Sequence, residues 1–225
     1  MLPATCSATL QERRDDRSMN LANKLTLSRI VIVPVFVALV LADNWAPAGW
    51  PVAVARWGAL ILFITATITD YYDGVIARRE GTVSNFGQLM DPLADKLITM
   101  AAFVSLVEVR LPSGQPVFPA WAVILILARE FLVTGLRSLA TMQGRIIAAD
   151  RWGKHKTGWQ LGGIIGILSA MCLRDTLALA GLDMTIPDRV LPYLYLLVLF
   201  IIVSLTTISG YVYLMNNKDL LREHR

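Results

Sequence analysis

Four aspartates stand at helix-compatible spacing in the chain. The stretch reads Asp70-Tyr-Tyr-Asp73-Gly74-Val-Ile-Ala77-Arg78, then eight residues, then Gly87-Gln-Leu-Met-Asp91-Pro-Leu-Ala-Asp95-Lys96. On a helix, Asp70 and Asp73 are three apart and share a face, as do Asp91 and Asp95, four apart. Gly74 and Ala77 keep the first face small as well as acidic. The linker Arg79–Phe86 is short and polar, so the two helices should be antiparallel neighbours with their carboxylates at one mouth. Such carboxylates repel one another, and each costs about 2.5–3.5 kcal/mol at a bilayer centre. Divalent cations between them relieve both penalties. An all-oxygen ligand set favours Mg²⁺, Mn²⁺ or Ca²⁺ over zinc. Mg²⁺ typically bridges carboxylates to substrate phosphates. Gly74 and Gly87 let a bulky phosphorylated group approach the backbone closely, and Arg78 can pair with a phosphate. The chemistry this implies is metal-assisted phosphoryl transfer on a lipid-associated substrate. One Asp pair alone would suit a set of solvated helix ends in a transporter; four Asp with two Gly, one Ala and one Arg do not.

A second group of charges follows. Arg129, Glu130 and Arg137 interrupt an otherwise apolar segment. An Arg at membrane depth faces a partner or a polar cavity. An internal ion pair with Glu130 or an Asp is one use for Arg129. The other is an anion pocket, with Arg129 and Arg137 two turns apart and Lys154 and Lys156 entering from the next helix. A phosphorylated acceptor needs such a pocket, whereas serine or choline does not. His155, between two lysines, reads as a bystander rather than a base.

These groups need elements to hold them, and the composition says which kind. Of the 225 residues, 55% are apolar and only 17% charged, with mean hydropathy +0.55. That excludes a disordered chain and argues against an ordinary soluble domain. Charge-free runs cover Ile30–Ala42, Trp57–Thr69, Leu97–Val107, Leu111–Ala128, Thr157–Leu173 and Val190–Asn217. A spanning helix needs about 20 mostly apolar residues. The last three runs reach or approach that; the first three do so only if helices continue through their polar ends. The expected architecture is an all-α integral membrane protein with six transmembrane helices, near 24–42, 53–78, 88–108, 117–141, 156–174 and 189–215. The Pro and Gly clusters at Pro47–Pro51 and Pro112–Pro119 fit loops. Residues 1–22 read as a cytoplasmic extension or a helix lying on the membrane surface, 23–217 as the six-helix domain, and 218–225 as a cytoplasmic tail. Met19 is an alternative start, and no signal peptide is evident.

The basic residues orient the bundle. Seventeen of the 21 Lys and Arg fall on the side that holds both termini, leaving Arg56, Arg110, Arg174 and Arg189 on the other. The positive-inside bias then puts both termini, and the four aspartates, at the cytoplasmic face of the cell membrane. The net charge of +4 follows from that bias rather than from nucleic-acid binding. Cys6 and Cys172 lack metal-site spacing and read as reduced thiols. Gly158, Gly162, Gly163 and Gly166 suit close helix packing, within the chain or between copies. The six tryptophans sit near expected span ends, as interface anchors do.

The pattern Asp-x2-Asp-Gly-x2-Ala-Arg-x8-Gly-x3-Asp-x3-Asp resembles the signature of the CDP-alcohol phosphatidyltransferases at every position from Asp70 to Asp95. Asn23-Lys-Leu-Thr26-Leu-Ser-Arg29, Asp91-Pro-Leu-Ala-Asp-Lys-Leu97, Ala128-Arg-Glu-Phe131 with Gly135-Leu-Arg137, and Gly153-Lys-His-Lys-Thr157 are similar to the branch of that family that makes phosphatidylglycerophosphate. The resemblance implies six transmembrane helices, usually in a homodimer, with a cytoplasmic active site. It implies two divalent ions, Mg²⁺ or Mn²⁺, held by Asp70, Asp73, Asp91 and Asp95, with Asp95 also the general base. Gly74, Ala77, Arg78 and Gly87, with Asn23 and Thr26, would surround the CDP group of CDP-diacylglycerol. The acceptor would be glycerol 3-phosphate, its phosphate on Arg129, Arg137, Lys154 and Lys156. The rival readings are a family sibling with another acceptor, such as inositol phosphate, a divalent-cation transporter using the Asp cluster, and a prenyltransferase.

Overall fold

The structure is a computed structural model that describes residues 21–80, 85–142 and 151–217; side chains at 21–30, 70–80, 85–95, 139, 141–142 and 151–155 lie outside that description. The expected extension up to residue 20 and the tail from residue 218 therefore fall outside it as well.

Six long helices make up the described chain: α1 (Leu21–Val40), α2 (Trp50–Glu80), α3 (Asn85–Glu108), α4 (Ala120–Met142), α5 (Arg151–Leu179) and α6 (Thr185–Asn216). Each corresponds to one expected apolar segment. The polar ends are helical too, so Asp70–Ala77 extends α2 and Asp91–Lys96 lies within α3. Pro34 sits inside α1 and Pro192 inside α6. Helices of a membrane bundle tolerate this because neighbouring groups re-satisfy the freed backbone. The end of α5 shows how sequence stops a helix. Gly181 adopts φ +78°, its N–H donates to the Ala178 carbonyl at 3.1 Å, and Leu182 N–H reaches back to Leu177 at 3.2 Å. That is a Schellman cap, which favours glycine at the left-handed position.

By length and composition, α2 over Trp50–Thr69, α5 over Lys156–Leu179 and α6 over Thr185–Asn216 are apolar enough to cross a membrane. The Pro112–Pro119 loop expected between the third and fourth helices is present: it joins α3 to α4 within residues 109–119. Leu111 N–H bonds to Gln115 at 2.8 Å around Gly114, and Arg110 pairs with Pro116 as an isolated bridge. Helix α4 therefore has only nine residues, Ala120–Ala128, before its first charge. The second run gains instead, since α2 starts at Trp50 and carries Arg56 inside the helix.

Helix α1 packs on α2 and α3, α2 on α5, α4 on α3 and α6, and α5 on α6. One apolar core runs through them: Phe36, Phe63, Phe103, Phe118, Ile126, Ile164, Leu168, Tyr195 and Ile202 are all essentially buried. Phe36 meets Phe63 at a centroid distance of 5.6 Å, and Phe103 stacks near Phe118 at 6.1 Å. Large apolar side chains also point outward, among them Ile61, Ile124, Leu132, Leu197 and Phe200. A helix apolar on both faces belongs in a hydrocarbon surrounding. The glycines of α5 divide between two tasks. A Cβ on Gly163 would meet Ile202 Cδ1 at 2.8 Å and Val198 Cγ1 at 2.9 Å, so Gly163 seats α5 against α6. Gly158, Gly162 and Gly166 meet nothing within 4 Å and line an open groove of about 620 Å³.

The bundle end away from the Asp motif is closed by charge. Arg56 is buried and donates to both Asp43 and Asp175. Arg174 donates to Asp188 at 2.7 and 3.0 Å and to Asp175 at 3.3 Å. This network ties the turn after α1 to α2, α5 and α6, beside a cavity of about 410 Å³. Two of the four basic residues assigned to that side, Arg56 and Arg174, are thus paired with carboxylates, and Arg56 reaches Asp175 from 119 residues away in sequence.

Candidate functional site

The four aspartates fall where two helices end and begin. Asp70 and Asp73, with Gly74, Ala77 and Arg78, occupy the last three turns of α2; Gly87, Asp91 and Asp95 occupy the first three turns of α3. Continuous helix through both stretches gives the backbone spacing that the motif requires, three residues on α2 and four on α3. Their side chains, and those of Asn23 and Thr26 on α1, lie outside the described residues. The four residues of the motif are carboxylates, a residue type that suits a hard divalent cation. Among the described side chains no other group of three metal-ligating residues occurs.

One residue beyond Asp95, the description resumes with a cluster of charge. Lys96 of α3 donates to Glu130 of α4 at 2.7 Å and to Thr134 Oγ1 at 3.1 Å. Lys156 of α5 donates to the other Glu130 oxygen. Arg129 Nη1 lies 3.6 Å from that same oxygen, and its Nη2 donates to Ser209 of α6 at 2.6 Å. Gln160 stands 3.5 Å from both Glu130 Oε1 and Thr206 Oγ1. Glu130, Lys156, Gln160, Thr206 and Ser209 are all buried. Three cations from three helices thus converge on one carboxylate. Helix α6 makes room for this with Gly210, where a Cβ would come within 2.9 Å of Arg129 Cγ.

Two expected pocket residues, Arg129 and Lys156, are therefore brought together. Arg129 does take the ion pair with Glu130 that the sequence allowed, but shares that carboxylate with two lysines. Arg137 is exposed two turns further along α4, and the Lys154 side chain lies outside the described residues. Glu130, Lys96, Gln160 and Tyr213 were not singled out from sequence as pocket residues. A charged triplet inside an apolar run signals that something is paired, but not which partners converge from other helices. Two buried donors in this region have no hydrogen-bond partner, Arg129 Nε and the Tyr213 hydroxyl. Tyr213 lies within electrostatic reach of the Arg129 guanidinium. Buried polar atoms are rarely left this way without a ligand, a water or a functional reason.

Comparison with known proteins agrees with the motif. Residues 19–208 match the family model described as CDP-alcohol phosphatidyltransferase. The chain is 38% identical over 212 residues to a CDP-diacylglycerol--glycerol-3-phosphate 3-phosphatidyltransferase of Bacillus subtilis, covering 90% of this chain and 97% of that one. It is 37% identical over 142 residues to the protein of the same name from Rickettsia typhi, covering 63% of this chain and 72% of the relative. It is 41% identical over 141 residues to a probable phosphatidylglycerophosphate synthase of Mycobacterium tuberculosis, covering 63% and 62% of the two chains.

Proposed function

The chain belongs to the CDP-alcohol phosphatidyltransferase family, and from that premise we propose that it is the membrane enzyme that transfers a phosphatidyl group from CDP-diacylglycerol to glycerol 3-phosphate, giving phosphatidylglycerophosphate and CMP. Its near full-length likeness to the Bacillus subtilis transferase carries this reading. The acceptor finds independent support in the cluster around Glu130. Among the described side chains three cations meet one carboxylate, and Arg129 Nε and the Tyr213 hydroxyl are donors without acceptors. A phosphate monoester would supply oxygens to these donors.

Enzymes of this family generally depend on divalent metal ions. Asp70, Asp73, Asp91 and Asp95 would hold two of them, Mg²⁺ or Mn²⁺. When bound, such ions neutralise the diphosphate and stabilise the departing CMP. The remaining work falls to this chain's own residues. Asn23, Thr26, Gly74, Ala77, Arg78 and Gly87 surround the CDP group. Arg129 and Lys156, with Arg137 and Lys154, bind the acceptor phosphate and so aim its free hydroxyl at the donor. Asp95 takes the hydroxyl proton. The freed oxygen bonds to the phosphorus that carries diacylglycerol, and the bond from that phosphorus to CMP breaks. Holding both reactants in line can contribute about 7–11 kcal/mol to lowering the barrier. The same reading takes all six helices across the membrane, both termini and the active site at the cytoplasmic face, and a homodimer as the working form.

The test is purified protein with CDP-diacylglycerol and Mg²⁺, offered one acceptor at a time while CMP is followed. Release of CMP with glycerol 3-phosphate supports the proposal. Release only with inositol phosphate or another alcohol replaces it with a sibling activity. Metal flux in proteoliposomes without any CMP replaces it with transport.

A further inference from the structure

We infer that Glu130 is a positioning residue: its buried carboxylate holds Lys96, Lys156 and Arg129 in one convergent arrangement and thereby shapes the pocket for the acceptor phosphate. This rests on the reading above that Arg129 and Lys156 bind that phosphate. Three long cationic side chains meet at the mouth of an apolar bundle. Like charges repel, and Lys and Arg near helix ends extend toward the interface. Left alone, the side chains from α3, α4 and α5 would splay apart. Glu130 prevents this with both oxygens. One accepts from Lys96, while the other accepts from Lys156 and lies 3.6 Å from Arg129.

Surrounding groups fix the carboxylate itself. Its residue is 7% exposed, Gln160 approaches Oε1, and Gln160 is held in turn near Thr206. Thr134, one turn along α4, takes a second bond from Lys96. The arrangement also sets a distance. Lys96 directly follows Asp95, so its bond to Glu130 links the start of α3, which carries the base, to the helices that carry the pocket. Among the described side chains one carboxylate orders three cations from three helices, and Arg129 Nε and the Tyr213 hydroxyl are left as donors that a phosphate could meet.

The experiment is a double-mutant cycle on the full-length purified enzyme, with KM measured separately for glycerol 3-phosphate and CDP-diacylglycerol. Glu130→Gln keeps the shape and removes the charge. It should raise the acceptor KM at least about ten-fold, the value of one lost charged hydrogen bond, and leave the donor KM within about two-fold. Glu130→Asp restores the charge on a shorter arm, so its acceptor KM should fall between the two. Lys156→Met should raise the acceptor KM, and adding Glu130→Gln to it should raise it further by less than Glu130→Gln does alone, because part of what Glu130 does is hold Lys156. If Lys156→Met raises the acceptor KM while Glu130→Gln leaves it unchanged, the pocket stands and the positioning role is overturned. If Lys156→Met itself has no effect on the acceptor KM, the pocket reading fails first. Equal rises in both KM values, unrelieved in Glu130→Asp, would make Glu130 a purely structural residue and overturn the inference. Where Glu130→Gln does not fold, Glu130→Asp alone decides by whether its acceptor KM rises.

Discussion

Replacing Arg56 with Met should destabilise the protein without disabling its chemistry. Arg56 is 7% exposed and donates to two carboxylates. Removing one partner of a buried ion pair costs about 3–5 kcal/mol, because the other charge is left uncompensated. The two acceptors differ. The Asp43 side chain is 42% exposed and can regain water, so its loss counts for little. The Asp175 side chain is 11% exposed and cannot, yet it keeps the Arg174 contact at 3.3 Å. Met retains the apolar bulk of the arginine stem. The net cost should therefore lie near the bottom of the range, about 2–3 kcal/mol. For a chain of this size that lowers Tm by about 5–10 °C. The assay is thermal unfolding of purified protein in detergent, followed by tryptophan fluorescence. Activity at 25 °C should survive, since Arg56 stands 14 residues before Asp70 on α2, about 21 Å along the helix axis. An unchanged Tm would show that the Arg56 ion pairs add nothing to stability, and loss of activity in protein that is still folded would put Arg56 in the catalytic machinery.

Further outcomes follow from the same structure. Asp95→Asn should insert, bind metal and CDP-diacylglycerol, and lose about 10²–10⁴-fold in kcat, the usual worth of a general base; titrating Mn²⁺ and donor onto Asp95→Asn and Asp91→Asn separates base from ligand, and equal loss of donor binding in both would make Asp95 mainly a ligand. Gly163→Ala should cost about 1–3 kcal/mol by pressing α5 off Val198 and Ile202, whereas Gly162→Ala, with open space around it, should be neutral or gain up to about 1 kcal/mol in helix propensity; a destabilised Gly162→Ala would mean that another helix covers that face. Cysteine labels near Arg79 and Arg151 should react only from the cytoplasm, and labels near Gly49 and Asp183 only from outside; the reverse at either pair overturns the six-span topology.

Much of the scaffold was legible in the sequence. Apolar runs and their Pro and Gly breaks located all six helices, and the motif spacing anticipated helix through Asp70–Ala77 and Asp91–Lys96. What escaped depends on contacts between distant segments. Arg56 and Arg174 were readable as minority charges on one side, while their partners at Asp43, Asp175 and Asp188 come from separate elements. Glu130 looked like a neighbour for Arg129. Only packing of α3, α5 and α6 against α4 makes it the acceptor for Lys96, Lys156 and Gln160. The helix through the Asp motif needed no such help, because its pattern lies within two short stretches.

In the proposed reaction the acceptor's hydroxyl oxygen attacks the phosphorus carrying diacylglycerol. Glycerol 3-phosphate bearing heavy oxygen in that hydroxyl, incubated with CDP-diacylglycerol, Mg²⁺ and the purified protein, and both products weighed by mass spectrometry, tests this step. The expected products are a two-phosphate lipid that retains the heavy oxygen and, one for one, unlabelled CMP. CMP accompanied by phosphatidic acid, or a lipid product lacking the label, would contradict that step.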